Sequence, residues 1–259
     1  MHLIEDPKRR NERILEKQNV ILSFLKDEIY SSTKVLAILM GVKQQSATRT
    51  LKRLVERGYL IKDKITFMES TAVVLWGIAP KGLLEISSVN EIEMNSYRTY
   101  SKGRVSPRTI EHTLDIHNLR CECISRGFSY WIPTRCMPGN NKKRGHYLRW
   151  KVYPDAIATL ELDSDSRDLK FAFEVERTRK SIQRYVQLIK GHLDNMQQGR
   201  YSSVYYYCPK KKMTNSLQSL FFRIIEEKEY SLFINDEVVF GPHDVKDFFV
   251  FKTLDIDSS

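Results

Sequence analysis

The stretch FAFEVERTRK, residues 171–180, decides how the rest of the chain is read. Its aromatic and β-branched content is that of a buried strand, yet Glu174 and Glu176 sit one residue apart within it. Side chains alternate along a strand, so Phe171, Phe173 and Val175 share one face and Ala172, Glu174 and Glu176 the other. A carboxylate taken out of water is costly, and two on one face repel unless something positive neutralises them. The preceding run YPDAIATLEL, residues 153–162, also reads as a strand, with Asp155 pointing away from Ala156, Ala158 and Leu160. If the two runs pair as a hairpin, the 19 positions between Asp155 and Glu174 let the chain return to the same level. Asp155, Glu174 and Glu176 then converge, and three acidic oxygen donors suit a hard cation, Mg²⁺ or Mn²⁺. The alternative places both glutamates on the wet face of an antiparallel strand, paired with Arg177, Arg179 or Lys180.

Around this pair the chain reads as α-β-β-β-α-β-α. A helix runs from Pro107 to about Arg126 and stops at Gly127, and FSYWIP (128–133) is a short strand. A basic loop with Lys142, Lys143 and Arg144 follows, then strands over 150–162 and 169–176. A helix from about Thr178 to Met196, the strand YSSVYYYC (201–208) and a helix from about Thr214 to Glu227 complete the order. The C-terminal stretch 229–254 adds strands that read as an edge or docking element. A Pro-Asp on one strand of a hairpin and an acidic pair on the next, in this order of elements, resemble the PD-(D/E)xK nuclease superfamily over about residues 107–227. The resemblance implies a restriction-endonuclease-like α-β-β-β-α-β core. Glu176 departs from it, standing where the pattern has Lys; an ExE variant occurs among some members. Lys180, one turn into the following helix, is then the residue to supply the missing positive charge.

The first part of the chain has a different character. Ile14, Ile21, Leu22, Phe24 and Leu25 mark a helix over 10–27. Ser32 or Thr33 caps TKVLAILM, which stops at Gly41, and a third helix runs from near Lys43 to Gly58. The tight turn between these two is that of a helix-turn-helix. Ala47, Leu51 and Leu54 face the core, leaving Gln45, Ser46, Arg49, Lys52 and Arg53 for a partner. YLIKDKITF (59–67) and TAVVLWGIA (71–79) read as the two strands of a wing, and PKGLLEI (80–86) as a helix with Pro in its first turn. This arrangement is similar to the winged-helix domains of bacterial and plasmid DNA-binding proteins. Gln and Arg at the front of such a helix suit base edges in the major groove, and Lys52 and Arg57 suit phosphates. The alternative is a solvated basic helix in a domain that contacts proteins. The expected architecture is therefore α/β, in the α+β sense. It has a winged helix-turn-helix at 1–90, a linker at 91–106 where periodicity is lost, and a nuclease-like domain at 107–259.

Composition agrees with a DNA partner. The 259 residues carry a net charge of +10, with 42 Lys and Arg against 32 Asp and Glu, which favours a polyanion. No apolar run is long enough to span a bilayer, and the polar start is unlike a signal segment. The four cysteines form no CxxC pair and no zinc spacing, which points to a reduced, cytoplasmic setting.

A winged helix, then YPDA, a strand ending in FEVER and a Thr- and Lys/Arg-containing helix look like the replication-relaxation family. That family includes MobC-type relaxases of mobilisable plasmids and has a histidine-bearing helix before the core, here EHTLDIHNLR. The resemblance places its acidic residues on Asp155, Glu174 and Glu176. It implies a metal-dependent relaxase or nickase acting on double-stranded, supercoiled DNA at a transfer origin to initiate conjugative mobilisation. A coupling protein or relaxosome accessory protein would be its partner; neither a membrane nor a small-molecule substrate is implied. Asp155 and Glu174 hold the metal, Glu176 completes the shell or acts as general base, and Lys180 or Arg177 stabilises the phosphate. His112 is the histidine expected near the phosphate, and His117 a core residue. The six histidines include no HxH pair, against a histidine-cluster relaxase; a tyrosine nucleophile such as Tyr153 stays open. Lys210, Lys211 and Lys212 read as phosphate contacts or as plain surface charge. The alternative function is a non-catalytic DNA-binding regulator with a degenerate nuclease-like domain.

Overall fold

The computed structural model describes residues 6–67, 71–87, 98–137, 150–161, 168–234 and 237–254. The chain divides into two compact units, Met1–His117 and Asn118–Ser259. The division falls inside a helix and not in the stretch 91–106, because residues within that stretch and after it are anchored to the first unit. Tyr100 donates its hydroxyl to Asp63 Oδ2 at 2.7 Å and its N–H to Ile78 O at 2.9 Å. The buried ring of His117 meets Ser31 Oγ at 3.1 Å and Glu28 Oε2 at 3.4 Å, as a core histidine would.

The first unit runs α1 (Pro7–Glu28), β1 (Tyr30–Ser32), α2 (Thr33–Leu39), α3 (Gln44–Glu56), β2 (Leu60–Phe67), β3 (Thr71–Ile78) and α4 (Pro80–Ile86). Ser32 caps α2 as expected, its hydroxyl accepting from Val35 N at 3.3 Å. The three residues of β1 were not legible as a strand; they pair antiparallel with β3, giving a sheet of order β1-β3-β2. Ala47, Leu51 and Leu54 on α3 are buried. Gly58, at φ +77°, ends that helix: Gly58 N donates to Val55 O at 2.9 Å and Tyr59 N to Leu54 O at 2.8 Å. This double closure needs a left-handed residue, and glycine adopts it without steric cost.

The second unit takes over within α5 (Ile110–Ser125). It continues with β4 (Phe128–Pro133), β5 (Ala156–Leu160), β6 (Leu169–Val175), α6 (Ile182–Gln197), β7 (Ser203–Cys208) and α7 (Lys211–Glu227). Beyond these lie β8 (Leu232–Ile234), β9 (Glu237–Phe240), α8 (Pro242–Val245) and β10 (Phe249–Thr253). The five-stranded sheet has the order β10-β7-β6-β5-β4. The β4-β5-β6 pairings are antiparallel, while β6-β7 and β7-β10 are parallel. One face packs Ala172, Val204 and Tyr206 against Tyr185 and Ile189 of α6 and Phe221 of α7. On the other face Phe173 lies among Phe128, Trp131, Tyr205 and Tyr207. Strand β6 is therefore covered on both sides, the usual state of a strand in the interior of an α/β sheet.

Two expected boundaries move. The strand expected over 150–162 begins only at Ala156, because Lys151–Asp155 is held by side chains of other elements in place of a ladder. The helix expected from Thr178 begins at Ile182, where the Ser181 hydroxyl accepts from Arg184 N at 3.2 Å and caps it.

Candidate functional site

In the β5-β6 hairpin Ala156 stands opposite Phe173. One further step of the same antiparallel register sets Asp155 opposite Glu174, on a shared face. Asp155 Oδ2 accepts from Val175 N at 2.8 Å, which ties its carboxylate to the end of β6. Thr134 fixes the same residue from the β4 side: its N–H donates to Asp155 O at 3.0 Å and its hydroxyl to Asp155 O at 2.9 Å. The Glu174 side chain is only 14% exposed. Burial first, and then the charge of Asp155, hold its carboxyl well above the ordinary range, while Lys180 opposes them.

Glu176 lies just past the end of β6, its N–H donating to Tyr207 O at 2.8 Å. It is buried, and its carboxylate accepts from Lys180 Nζ. The Tyr185 hydroxyl in turn accepts from Lys180 N at 2.9 Å. Lys180 belongs to the turn before α6, so it reaches Glu176 from a loop and not from the first turn of a helix. Burial raises the Glu176 carboxyl, and the Lys180 contacts counter it. The pairing with Lys180 that the alternative expected is found at Glu176, but neither carboxylate lies on a wet face, the side chains being 14% and 4% exposed.

Among the described residues no group of three or more His, Cys, Asp or Glu side chains is disposed to hold a metal. The expected trio thus resolves into the pair Asp155 and Glu174, with Glu176 turned to Lys180. Two carboxylates fit Mg²⁺ or Mn²⁺, since Mg²⁺ commonly takes one or two carboxylates and completes its shell with water and substrate phosphate.

A buried polar chain behind the pair was not anticipated. Asn195 Oδ1 accepts from Lys151 N at 3.3 Å and from Arg200 Nη1 at 3.0 Å. Its Nδ2 must then be the donor to Val152 O at 2.8 Å and to the Tyr201 hydroxyl at 2.9 Å. Tyr201 consequently gives its own proton to His192 Nδ1 at 2.7 Å, so His192 carries its hydrogen on Nε2. That nitrogen meets the Tyr206 hydroxyl at 3.1 Å, and Glu174 Oε1 lies 3.4 Å from it. Burial pushes His192 down to about 3, so the ring beside Glu174 is neutral and no ion pair forms. Helix α6 thus grips residues 151–152 through Asn195 and sets the neutral His192 ring beside Glu174. Gly191 allows the approach, because a Cβ there would lie 2.8 Å from Val152 Cγ2. The signal in the sequence is a His and an Asn at core positions of an amphipathic helix whose other buried positions include Tyr185, Leu188 and Ile189.

The remaining expected residues separate. In the first unit, α3 exposes Gln45, Arg49, Lys52 and Arg53, with Ser46 half-buried, opposite its buried stripe. Arg57 is drawn inward, donating to Gln18 Oε1 at 2.8 Å and lying 4.8 Å over the Tyr59 ring. His112 is half-buried on α5, also in the first unit. Lys142, Lys143 and Arg144 lie outside the described residues. Tyr153 stacks on Trp150 at 5.9 Å against the helix-side core. No helix among the described residues is long and apolar enough to cross a membrane.

No curated protein sequence matches the chain. Among solved structures, the C30AH42A mutant of Lactococcus lactis ZitR in apo form is 21% identical. The match covers 46% of this chain and 81% of that one at a TM-score of 0.25, too low to argue from. A family model described as Replication-relaxation matches residues 22–207, well over half of the chain and spanning both the basic helix and the paired carboxylates. The chain belongs to the replication-relaxation family.

Proposed function

We propose that the protein is a DNA nickase of the relaxase kind. In this reading a winged helix in the first unit selects a duplex site, and a nuclease-like second unit cleaves one strand. The observation that carries it is the carboxyl of Glu174, set opposite Asp155 and raised first by burial and then by that neighbour's charge. A fold keeps such a repulsive pair where something cationic is meant to relieve it. Mg²⁺ or Mn²⁺, held by Asp155 and Glu174, would polarise the scissile phosphate and acidify a bound water. The chain's own residues do the rest. Val175 N and Thr134 fix Asp155, the neutral His192 ring packs beside Glu174, and Glu176 holds Lys180 where its ammonium can meet charge on the phosphate. Glu176, its carboxyl raised by burial, would take the proton from attacking water. On the first unit, Gln45, Ser46 and Arg49 read base edges, and Lys52 and Arg53 take phosphates. Family membership supports a plasmid or mobile-element transfer origin as the site, with a coupling or accessory protein nearby.

The test is incubation of the full chain with supercoiled plasmid carrying its own mobilisation region, comparing Mg²⁺, Mn²⁺ and EDTA, with Glu174→Ala as control. The proposal expects metal-dependent conversion to open circles that the variant lacks. Specific duplex binding without conversion would favour a non-catalytic regulator. The engagement of Glu176 by Lys180, and the lack of a three-ligand cluster among the described residues, are what speak for that second reading.

A further inference from the structure

Strands β6 and β7 run parallel, so the loops that follow them leave the sheet at the same edge. In α/β sheets the carboxyl ends of parallel strands are where ligands collect. Between those two loops the second unit has a cavity of about 280 Å³, lined by Arg179, Tyr185, Lys210, Lys212, Met213, Ser216 and Leu217. Its chemistry has two parts. Met213, with Leu217 and the fully buried Tyr185 behind it, makes an apolar floor. Arg179, Lys210 and Lys212 are exposed at the rim, and no carboxylate lines it. The cavity shares a wall with the carboxylate site, since the Tyr185 hydroxyl accepts from the backbone N–H of Lys180, whose ammonium binds Glu176.

We propose that this cavity receives one unstacked nucleotide of a single DNA strand, next to the phosphate addressed by Asp155 and Glu174. The occupant must be apolar at one end and anionic at the other, which a nucleotide is. The flat base meets the polarisable Met213 thioether and Leu217, with the Ser216 hydroxyl at its edge. The phosphates on either side meet Arg179, Lys210 and Lys212. Size selects single-stranded over duplex DNA. At about 280 Å³ the cavity lies at the lower end of small-ligand pockets, room for one base and not for a stacked pair. A strand locally unpaired at the cleavage point supplies such a base, and its extraction would fix the register of the scissile phosphate. The proposal's place in the reaction rests on the nickase reading, but binding at the cavity does not require cleavage.

The test is therefore made without metal. Anisotropy of the full chain with short fluorescent single-stranded oligonucleotides in EDTA would compare an intact strand with a series lacking one base at successive positions. The expected result is a loss of about fivefold or more in affinity when the critical base is missing. In Met213→Glu, which places a carboxylate on the floor, the intact strand should bind as weakly as the abasic one. In Arg179→Ala/Lys212→Ala, both strands should weaken in parallel while the abasic penalty persists. Equal binding of intact and abasic strands at every position overturns the proposal, as does an abasic penalty unchanged in a folded Met213→Glu. Displacement of the strand by an equimolar free deoxynucleoside monophosphate also overturns it, by making the ligand a nucleotide and not a strand. Failure of nicking in the plasmid experiment leaves these binding outcomes standing, so the two readings fail separately.

Discussion

Glu174 is held in a place that resists its charge, and this has a stability consequence of definite sign. Its carboxyl is raised in the fold by burial and by Asp155, relative to the unfolded chain. The protonated form is therefore favoured by folding, and that contribution is lost as pH rises through the raised value. At neutral pH and without metal, Glu174→Gln should raise the melting temperature, by at least about 2 °C for a domain of this size. The gain should fade as pH falls and the wild-type carboxyl takes up its proton. Scanning fluorimetry across pH in EDTA checks this, and a Gln variant less stable at every pH would sink the claim that the pair is repulsive. Asn195 poses the complementary case. Asn195→Asp keeps the acceptor for Lys151 N and loses the donor to Val152 O and Tyr201. Two buried bonds lost, with a charge added in their place, should cost about 2–4 kcal/mol in denaturant unfolding. A loss under about 0.5 kcal/mol would mean that the amide does not organise the segment before Asp155.

At the scale of elements, helix α3 separates two kinds of contact by position. Arg49 is exposed in the second turn of the helix and Lys52 about one turn on. If α3 enters the major groove, Arg49→Ala should cost about 1–3 kcal/mol on the preferred site and relax sequence preference. Lys52→Ala should weaken all duplexes alike and lower the salt slope of binding by about one. Salt titrations on a specific and a scrambled duplex distinguish the two, and identical behaviour of both variants would place α3 outside the groove. The helix itself was legible because its signals are local: Ala47, Leu51 and Leu54 at helical spacing, and Gly58 just past the end. Asp155 and Glu174 were legible because strand parity and hairpin register are also local rules. The fate of Glu176 was not. Its parity matches that of Glu174, but β6 ends at Val175 and the Lys180 turn draws Glu176 aside, a distinction made by tertiary contacts. The polar chain through His192 was hidden for the same reason. Its members come from a helix, the strand β7 and the loop before it, and only folding brings Asn195, Tyr201 and Tyr206 together beside Glu174 of β6. The short β1 and the parallel edge strand β10 likewise depend on partners distant in sequence.

For the whole molecule, the division into two compact units predicts a division of labour. The exposed face of α3 and the carboxylate pair belong to different units, so a substitution in one should leave the other's task intact. Asp155→Asn preserves size and a side-chain oxygen to accept from Val175 N, yet removes the negative charge that a metal requires. It should abolish Mg²⁺-dependent nicking while changing duplex affinity by less than about twofold, because sites without shared partners behave additively. The triple variant Arg49→Ala/Lys52→Ala/Arg53→Ala should do the reverse, weakening duplex binding severely while retaining nicking at saturating protein. The comparison needs at least about 0.15 M salt, because a chain of net charge +10 binds any DNA at low ionic strength and would mask the loss. Under those conditions, a fall of tenfold or more in duplex affinity for Asp155→Asn would show that the second unit bears much of the recognition. The basic helix would then be a surface that merely accompanies it.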